Sequence, residues 1–506
     1  MPISIKYLGI DFGSSATTLV GIADNGKAYL LEDTVTGKQD FASAVAVSDS
    51  GKLYFCHEAL VKSHEDGIFL EATPKEDLLS KADIDNCKRR VLAFFDAVLD
   101  RAEGKAAGFP FYDLSTVEAV CFGHPSYYRR CDTEDYNTVI SDLLATVFSE
   151  RYHSRPSIVP AAEPLLAAIA YGDVCGMDTV RHEGLLLVVD CGGHTIDLSL
   201  VKGIHECTSE SGDQSQKRLC LIAAAPPASI NENNTLAPLG KQMTMEIADT
   251  ILEKGEVAED VGVELLYDYK VEEAKCRFFN SYPAHTVGEV FSPAFAPSLR
   301  CRLTWGAAKG ASGILDIDLP ADMAAEVRFD TFASHVRTYM KDLERYGVIS
   351  DQQRLDGILF AGGASRMFPL RESVKKGADR WLRYENGRVT TAFLEVEHPI
   401  ASAATPLYTS AEGVALGVGN AVGYGAALVA GSEVLRQDVK RGQHRFTEDT
   451  ATRTLEEILA QQLSAERALR GLRAAIEELA EYRGDKHAPI TADDLKKILG
   501  GELPPL

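Results

Sequence analysis

Two stretches of this 506-residue sequence combine carboxylates, glycines and hydroxyls at a spacing suited to holding an anion and a hard cation together. In the first, Ile3–Ile10 leads into Asp11-Phe12-Gly13-Ser14-Ser15, and a second strand-like run, Thr17–Ile22, follows. In the second, Leu185–Val189 leads into Asp190-Cys191-Gly192-Gly193-His194-Thr195. The apolar run Ile196–Val201 follows, broken by Asp197 and Ser199. Glycines let the main chain approach a ligand closely and turn several N–H groups towards it, which suits phosphate oxygens. A carboxylate at a strand end can hold Mg²⁺ through water, because that ion prefers oxygen ligands and keeps its own waters.

The elements that must position these residues follow from hydrophobic patterning. Leu185–Val189 is a continuous apolar run bounded by turn residues, the pattern of a strand buried on both faces. Each glycine turn joins strand to strand, whereas a P-loop or dinucleotide fingerprint needs a helix directly after its glycines. Two Asp-x-Gly hairpins in one chain point to an internal duplication. Residues 1–35 read as a three-strand meander, Phe41–Val47 as an extended run and Val117–Gly123 as a strand. Residues 133–151 have helical periodicity, and Pro164 suits the first turn of a helix that continues through Leu165–Tyr171. The polar segment 204–219 reads as a surface loop. Helices are expected over 241–254, 258–279 and 330–346, and strands over Leu315–Leu319 and Gly357–Ala361. Gly362-Gly363-Ala364-Ser365-Arg366 then gives a strand–Gly-Gly–helix arrangement that can meet a nucleotide, with a helix N-terminus nearby.

Several stretches resemble the actin-like ATPases, and within them the seventy-kilodalton heat-shock chaperones. GIDFGSSATTLVGI at Gly9–Ile22 and VVDCGGHTIDLSLV at Val188–Val201 resemble their two phosphate loops. AAEPLLAAIAYG at Ala161–Gly172 resembles their connecting helix, and GILFAGGASRMFPLRESVKK at Gly357–Lys376 their adenosine loop. AVGYGAALVAG at Ala421–Gly431 resembles the helix closing the ATPase unit. VEEAKCRFF at Val271–Phe279 resembles the adenosine-flanking helix that actin lacks. The resemblance implies an α/β protein of the actin-like ATPase fold: two duplicated ribonuclease-H-like lobes around a nucleotide cleft, plus a C-terminal helical extension. The lobes would span 1–182, with a small subdomain at about 41–114, and 183–431, with a helical subdomain at about 236–310. The extension would span 432–506.

The same resemblance implies ATP or ADP with Mg²⁺ as the bound group. Asp11 and Asp190 would hold the hydrated metal. Gly13, Ser14, Ser15, Gly192, Gly193 and His194 would line the phosphates, and Asp190, Thr195 and Asp197 would orient the attacking water. Glu163 would help position metal or water. A catalytic lysine is expected roughly sixty residues after the first loop; Lys75 is the nearest candidate, with Lys62 and Lys81 competing. Glu272 and Lys275, three apart on one helix face, would contact ribose and base, with Gly362, Gly363, Ser365 and Arg366 bordering the adenosine. The chain departs from the family at His194, at Lys241, at Cys276 and at Val418-Gly419-Asn420, each of which replaces a ligand-approaching residue.

Composition narrows the function classes. Hydrophobic content of 45% and charged content of 25% are those of a globular protein. A formal net charge of −22 argues against nucleic-acid or anionic-membrane partners, which require basic patches. No apolar stretch reaches the roughly 20 residues a membrane span needs. The ten cysteines lack metal-binding spacing and read as reduced thiols of a cytoplasmic protein, with Cys191 inside the second turn. Beyond residue 431 the resemblance stops, and no peptide-binding domain is expected. Leu455, Ile458, Leu459, Leu463, Leu469, Leu472, Ile476 and Leu479 instead form a helical stripe that could pack on the ATPase unit, on a protein partner or on a second copy. Oligomeric state is left open. The sequence thus reads as a slowly hydrolysing ATP switch acting on a protein partner. The alternatives are a nucleotide-dependent binding module and a filament-forming ATPase.

Overall fold

The computed structural model describes residues 2–63, 65, 67–71, 75, 78, 84–104, 111–125, 136–175, 184–192, 196–207, 215–224, 299–306, 312–319, 329–345, 347–366, 368–395, 398–400, 414–416, 420–437 and 439. The expected helices over 241–254 and 258–279 and the apolar stripe 455–479 lie outside the described residues, as do Lys81, Gly193, His194, Thr195, Lys241, Glu272, Lys275 and Cys276.

Two sheets dominate. The first is built on β1 (Ile3–Phe12), β2 (Ala16–Ala23), β3 (Ala28–Leu31), β4 (Ala119–His124) and β5 (Ser157–Ala162), in the order β5-β4-β1-β2-β3. β1, β2 and β3 are antiparallel neighbours, while β4 and β5 run parallel to β1. The second contains β6 (Leu185–Cys191), β7 (Ile196–Cys207), β8 (Ser215–Ala224), β9 (Leu355–Ala361) and β10 (Ala392–Glu395), in the order β8-β7-β6-β9-β10. Its pairings have the same senses: β6, β7 and β8 antiparallel, β9 and β10 parallel to β6. Each sheet is therefore a hairpin meander followed by two parallel crossovers.

The helices explain how the sheets meet. α1 (Ile84–Glu103) and α2 (Tyr136–Tyr152) cover the outer face of the first sheet, where Ile5, Leu8, Ile10 and Phe12 of β1 pack with Phe94, Phe95, Val139 and Phe148. α4 (Phe329–Arg345) and α5 (Phe368–Ala378) cover the outer face of the second, where Leu185, Leu187, Val189 and Cys191 meet Phe332, Val336, Tyr339, Met340 and Leu343. The spacing of these α4 residues by three and four puts them on one helix face.

Between the sheets lie α3 (Glu163–Cys175) and α6 (Ala421–Gly431), and both sheets contribute to one core with them. Leu186 and Val188 enter this core while their neighbours enter the outer one, so β6 is buried on both faces, as its unbroken apolar run requires. Close packing of α6 depends on missing side chains. A Cβ on Gly9 would lie 2.1 Å from Gly423 O, and one on Gly425 would lie 2.0 Å from Leu166 O. The Tyr424 hydroxyl donates to Asp173 Oδ2 at 2.7 Å, tying α6 to α3.

Three sequence expectations change. Residues 204–219 do not form a surface loop throughout: β7 runs to Cys207, β8 begins at Ser215, and Cys207 pairs with Ser215. An antiparallel ladder is made by main-chain groups, so a polar sequence can continue it past the edge of the core. The extended run Phe41–Val47 is split into Phe41–Ala42, which pairs with β2, and Val45–Ser48, the central strand of a small sheet with Leu53–Phe55 and Ile68–Glu71. The Gly-Gly segment after β9 forms a short 3₁₀ turn, Gly363–Arg366, before α5 begins at Phe368.

Candidate functional site

Residues of alternating parity on β1 and β6 point to opposite faces. Ile10 and Phe12 point outward, so Asp11 points inward, as do Leu186, Val188 and Asp190. The two aspartates hold the penultimate positions of the central strands of the two sheets. Glu163 enters from the first residue of α3, directly after β5. A Cβ on Gly123 would lie 2.9 Å from Glu163 Cγ, so that glycine makes room for the glutamate. Asp197 is the cross-strand partner of Asp190. The carboxyl ends of strands from both sheets therefore converge on one place, where open α/β sheets bind ligands.

Lys75 enters the same site. Its Nζ lies 3.0 Å from Glu163 Oε1, and Lys75 is only 4% and Glu163 8% exposed. Lys62 instead pairs with Glu65 at the surface. An isolated reading of Lys75 favours an exposed side chain; the burial is explained by its partner 88 residues away.

The charges do not balance. Asp11, Glu163, Asp190 and Asp197 face one lysine. Burial first, and then Glu163, push the Asp11 carboxyl up to about 7, while Lys75 works the other way. Asp190 is raised well above the usual carboxylate range by burial and then by Glu163, Asp197 and Asp11. Burial opposes the charge of Lys75, but Glu163, Tyr136 and Asp11 outweigh it and hold the ammonium more firmly protonated than usual. The surplus of buried negative charge is what a bound cation would relieve. Among the described residues no three His, Cys, Asp or Glu side chains are grouped to ligate a metal directly. Separate carboxylates of this kind fit an ion that keeps its water shell, as Mg²⁺ does.

The turns differ in how they are built. Gly13 N–H donates to Ala16 O at 3.1 Å, closing the β1–β2 hairpin, so this amide serves the turn itself. The Ser43 hydroxyl donates to Gly13 O at 2.7 Å and lies 2.9 Å from Thr17 Oγ1. Ser14 and Gly192 are partly buried and Ser15 is exposed. Gly362 has a φ of +76°, and a Cβ there would lie 2.3 Å from Cys191 O and 2.5 Å from Asp190 Oδ1, so glycine at this position leaves room for the Asp190 carboxyl. Gly363 is exposed, with open space where its Cβ would be. Ser365 turns inward: it is buried, its hydroxyl donates to Gly362 O at 2.8 Å, and its carbonyl accepts from Arg371 Nε at 2.7 Å. Arg366 occupies the end of the 3₁₀ turn. Cys191 is a buried free thiol whose pKa is raised by burial and then by Asp190 and Asp197, the opposite of what a reactive thiolate needs.

Sequence reasoning missed three supporting residues. Tyr136 was legible only as part of an apolar helical stripe; it lies buried beside Lys75, Glu163 and Asp11, with its hydroxyl pKa raised by burial. Ser43 sits in an extended run with no local signal. Gly123 needed the position of Glu163 to be understood.

No protein-family profile matches the chain. It is similar to the chaperone protein DnaK of Nitrosopumilus maritimus (strain SCM1), at 26% identity over 222 residues, covering 41% of this chain and 31% of that relative. The alignment thus spans about a third of the relative's length. The likeness is to a part of that chaperone, and the fold found here is a mixed α/β architecture of several sheets. Among the described residues no helix is long and apolar enough to cross a membrane.

Proposed function

We propose that this chain is a Mg²⁺-dependent ATP-binding switch that hydrolyses ATP slowly and passes its nucleotide state to a protein partner. The single observation that carries this reading is the convergence of Asp11 and Asp190, at matching ends of two identically ordered sheets, on the Lys75–Glu163 pair. The likeness to DnaK supports it. The two sheets read as duplicated ribonuclease-H-like lobes, 1–182 and 183–431, with 432–506 as an extension available to a partner.

In this reading Asp11 and Asp190 hold hydrated Mg²⁺ through its waters. Amides of Ser14, Ser15, Gly192, Gly193 and His194 cradle phosphate oxygens, and Gly362 and Gly363 leave room for the nucleoside. Bound Mg²⁺ would supply neutralisation of charge on the phosphates. Lys75, kept charged by Glu163, adds fixed positive charge. Asp197 and Thr195 orient the attacking water, with Asp190 accepting from it. Positioning and electrostatics suffice for this chemistry, and slow turnover lets a switch hold its state.

A phosphate-release assay at saturating Mg·ATP tests the proposal. The wild-type chain should release phosphate slowly, and Asp190→Asn should reduce the rate by about a hundredfold or more, the scale on which preorganised charged groups contribute. Unchanged release in that variant would refute the role given to Asp190. Tight Mg·ATP binding with no release would identify a binding module without hydrolysis.

A further inference from the structure

On the outer face of the second sheet, away from the carboxylate site, lies a cavity of about 510 Å³ with a positive lining. α4 and α5 cross closely beside it: a Cβ on Gly377 would lie 2.6 Å from Ala333 O. From that crossing α4 presents Arg337 and Lys341, one and two turns beyond Ala333. α5 presents Lys375 and Lys376, and the following 3₁₀ turn (Asp379–Trp381) adds Arg380 and Trp381. Five cations meet two carboxylates, Glu372 and Asp379, in a chain whose formal net charge is −22.

The acidic groups nearby do not neutralise the site. Glu372 lies 3.8 Å from Lys375, Glu344 pairs with Arg380 at 2.8 Å, and Asp379 accepts from the Tyr384 hydroxyl. Arg337 donates to the Lys376 carbonyl at 3.4 Å, but among the described residues Arg337, Lys341 and Lys376 pair with no carboxylate. All three are exposed. Trp381 is 1% exposed and belongs to the outer core, and the Arg380 guanidinium stands over its ring, 5.6 Å from the centroid. Gathered like charges repel, and an anionic ligand would relieve that repulsion.

We propose that this cavity binds a compact, multiply charged phosphate compound. Cations converge on a concavity from two helices and a turn, and its volume is that of small-molecule sites. Lysine and arginine are the usual phosphate binders. An extended acidic peptide would instead call for charge laid out along a groove. The inference is independent of the nucleotide reading, because it uses no residue of the carboxylate site.

The test uses the full chain carrying Trp305→Phe, which leaves Trp381 as the sole tryptophan, titrated with sodium tripolyphosphate in the absence of divalent ions. The expected result is a saturable change in Trp381 emission that weakens with added salt. In Lys341→Ala/Lys376→Ala, the affinity should fall by about tenfold or more. Both lysines are exposed, so thermal melting should be unaffected by that pair. No saturable change, or the same affinity in the double variant, would overturn the proposal. So would a response to a glutamate-rich peptide without one to tripolyphosphate.

Discussion

Lys75 Nζ and Glu163 Oε1 lie 3.0 Å apart, in a pair that is almost wholly buried and spans 88 residues of sequence to reach the first turn of α3. The pair stands among three further carboxylates, so the lysine neutralises more than its direct partner. Removing one member of a buried ion pair costs about 3–5 kcal/mol, because the other is left charged and uncompensated. Lys75→Met should therefore lower stability by about that amount and should all but abolish ATP turnover. Glu163→Gln should act differently. Glu163 is the largest charged cause raising both Asp11 and Asp190, so its neutralisation should let both ionise at lower pH. Denaturant melts of the two variants, with NMR titration of the Asp11 carboxyl, measure this. Equal stability of Lys75→Met and wild type would contradict the pairing.

The raised carboxyls give a pH dependence of definite sign. Asp11 moves from 3.8 to about 7 on folding, and Asp190 moves in the same direction. Between about pH 4 and pH 7 the folded chain holds protons that the unfolded chain has lost. The Asp11 contribution to stability therefore falls as pH rises through that window and levels off above it. Melting temperatures in EDTA, compared between wild type and Asp11→Asn, isolate the term: the variant should gain on wild type as pH rises from 5 to 8. A divalent ion bound at the site should have a larger stabilising effect at pH 8 than at pH 5, because it competes with those protons. A wild-type-minus-variant difference that does not change with pH would argue against charge crowding at Asp11.

The helix crossing between the sheets gives a steric prediction. A Cβ on Gly425 would lie 2.0 Å from the Leu166 carbonyl oxygen, so α3 and α6 must separate to admit one. Gly425→Ala should cost about 3 kcal/mol, at the upper end of ordinary overpacking. Tyr424→Phe, which only removes the hydroxyl bond to Asp173, should cost about 1 kcal/mol. Guanidinium melts of both variants check the ordering, and a Gly425→Ala chain as stable as Tyr424→Phe would contradict the close crossing.

Much of the architecture was legible locally. The unbroken Leu185–Val189 run marks a strand buried on both faces because no polar residue interrupts either face, and the two Asp-x-Gly turns mark matching hairpins. Lys75 was legible as a position but not as a buried one, since its partner lies far along the chain and its neighbours are polar. The long β7–β8 hairpin was hidden because its outer rungs are held by main-chain bonds that leave no apolar pattern. The roles of Gly9 and Gly425 depended on α6 returning to pack on β1 and on α3 respectively, long-range contacts that local sequence patterning does not reveal.

The central claim is that Asp11 and Asp190 act together on one metal-bound nucleotide. Calorimetric titration of ATP into the wild-type chain and into Asp11→Asn and Asp190→Asn, each with Mg²⁺ and with EDTA, tests it most directly. The account predicts that Mg²⁺ tightens binding to the wild type, and that either substitution removes most of that gain while leaving the chain folded. Binding of equal strength with and without Mg²⁺, unchanged by either substitution, would contradict it.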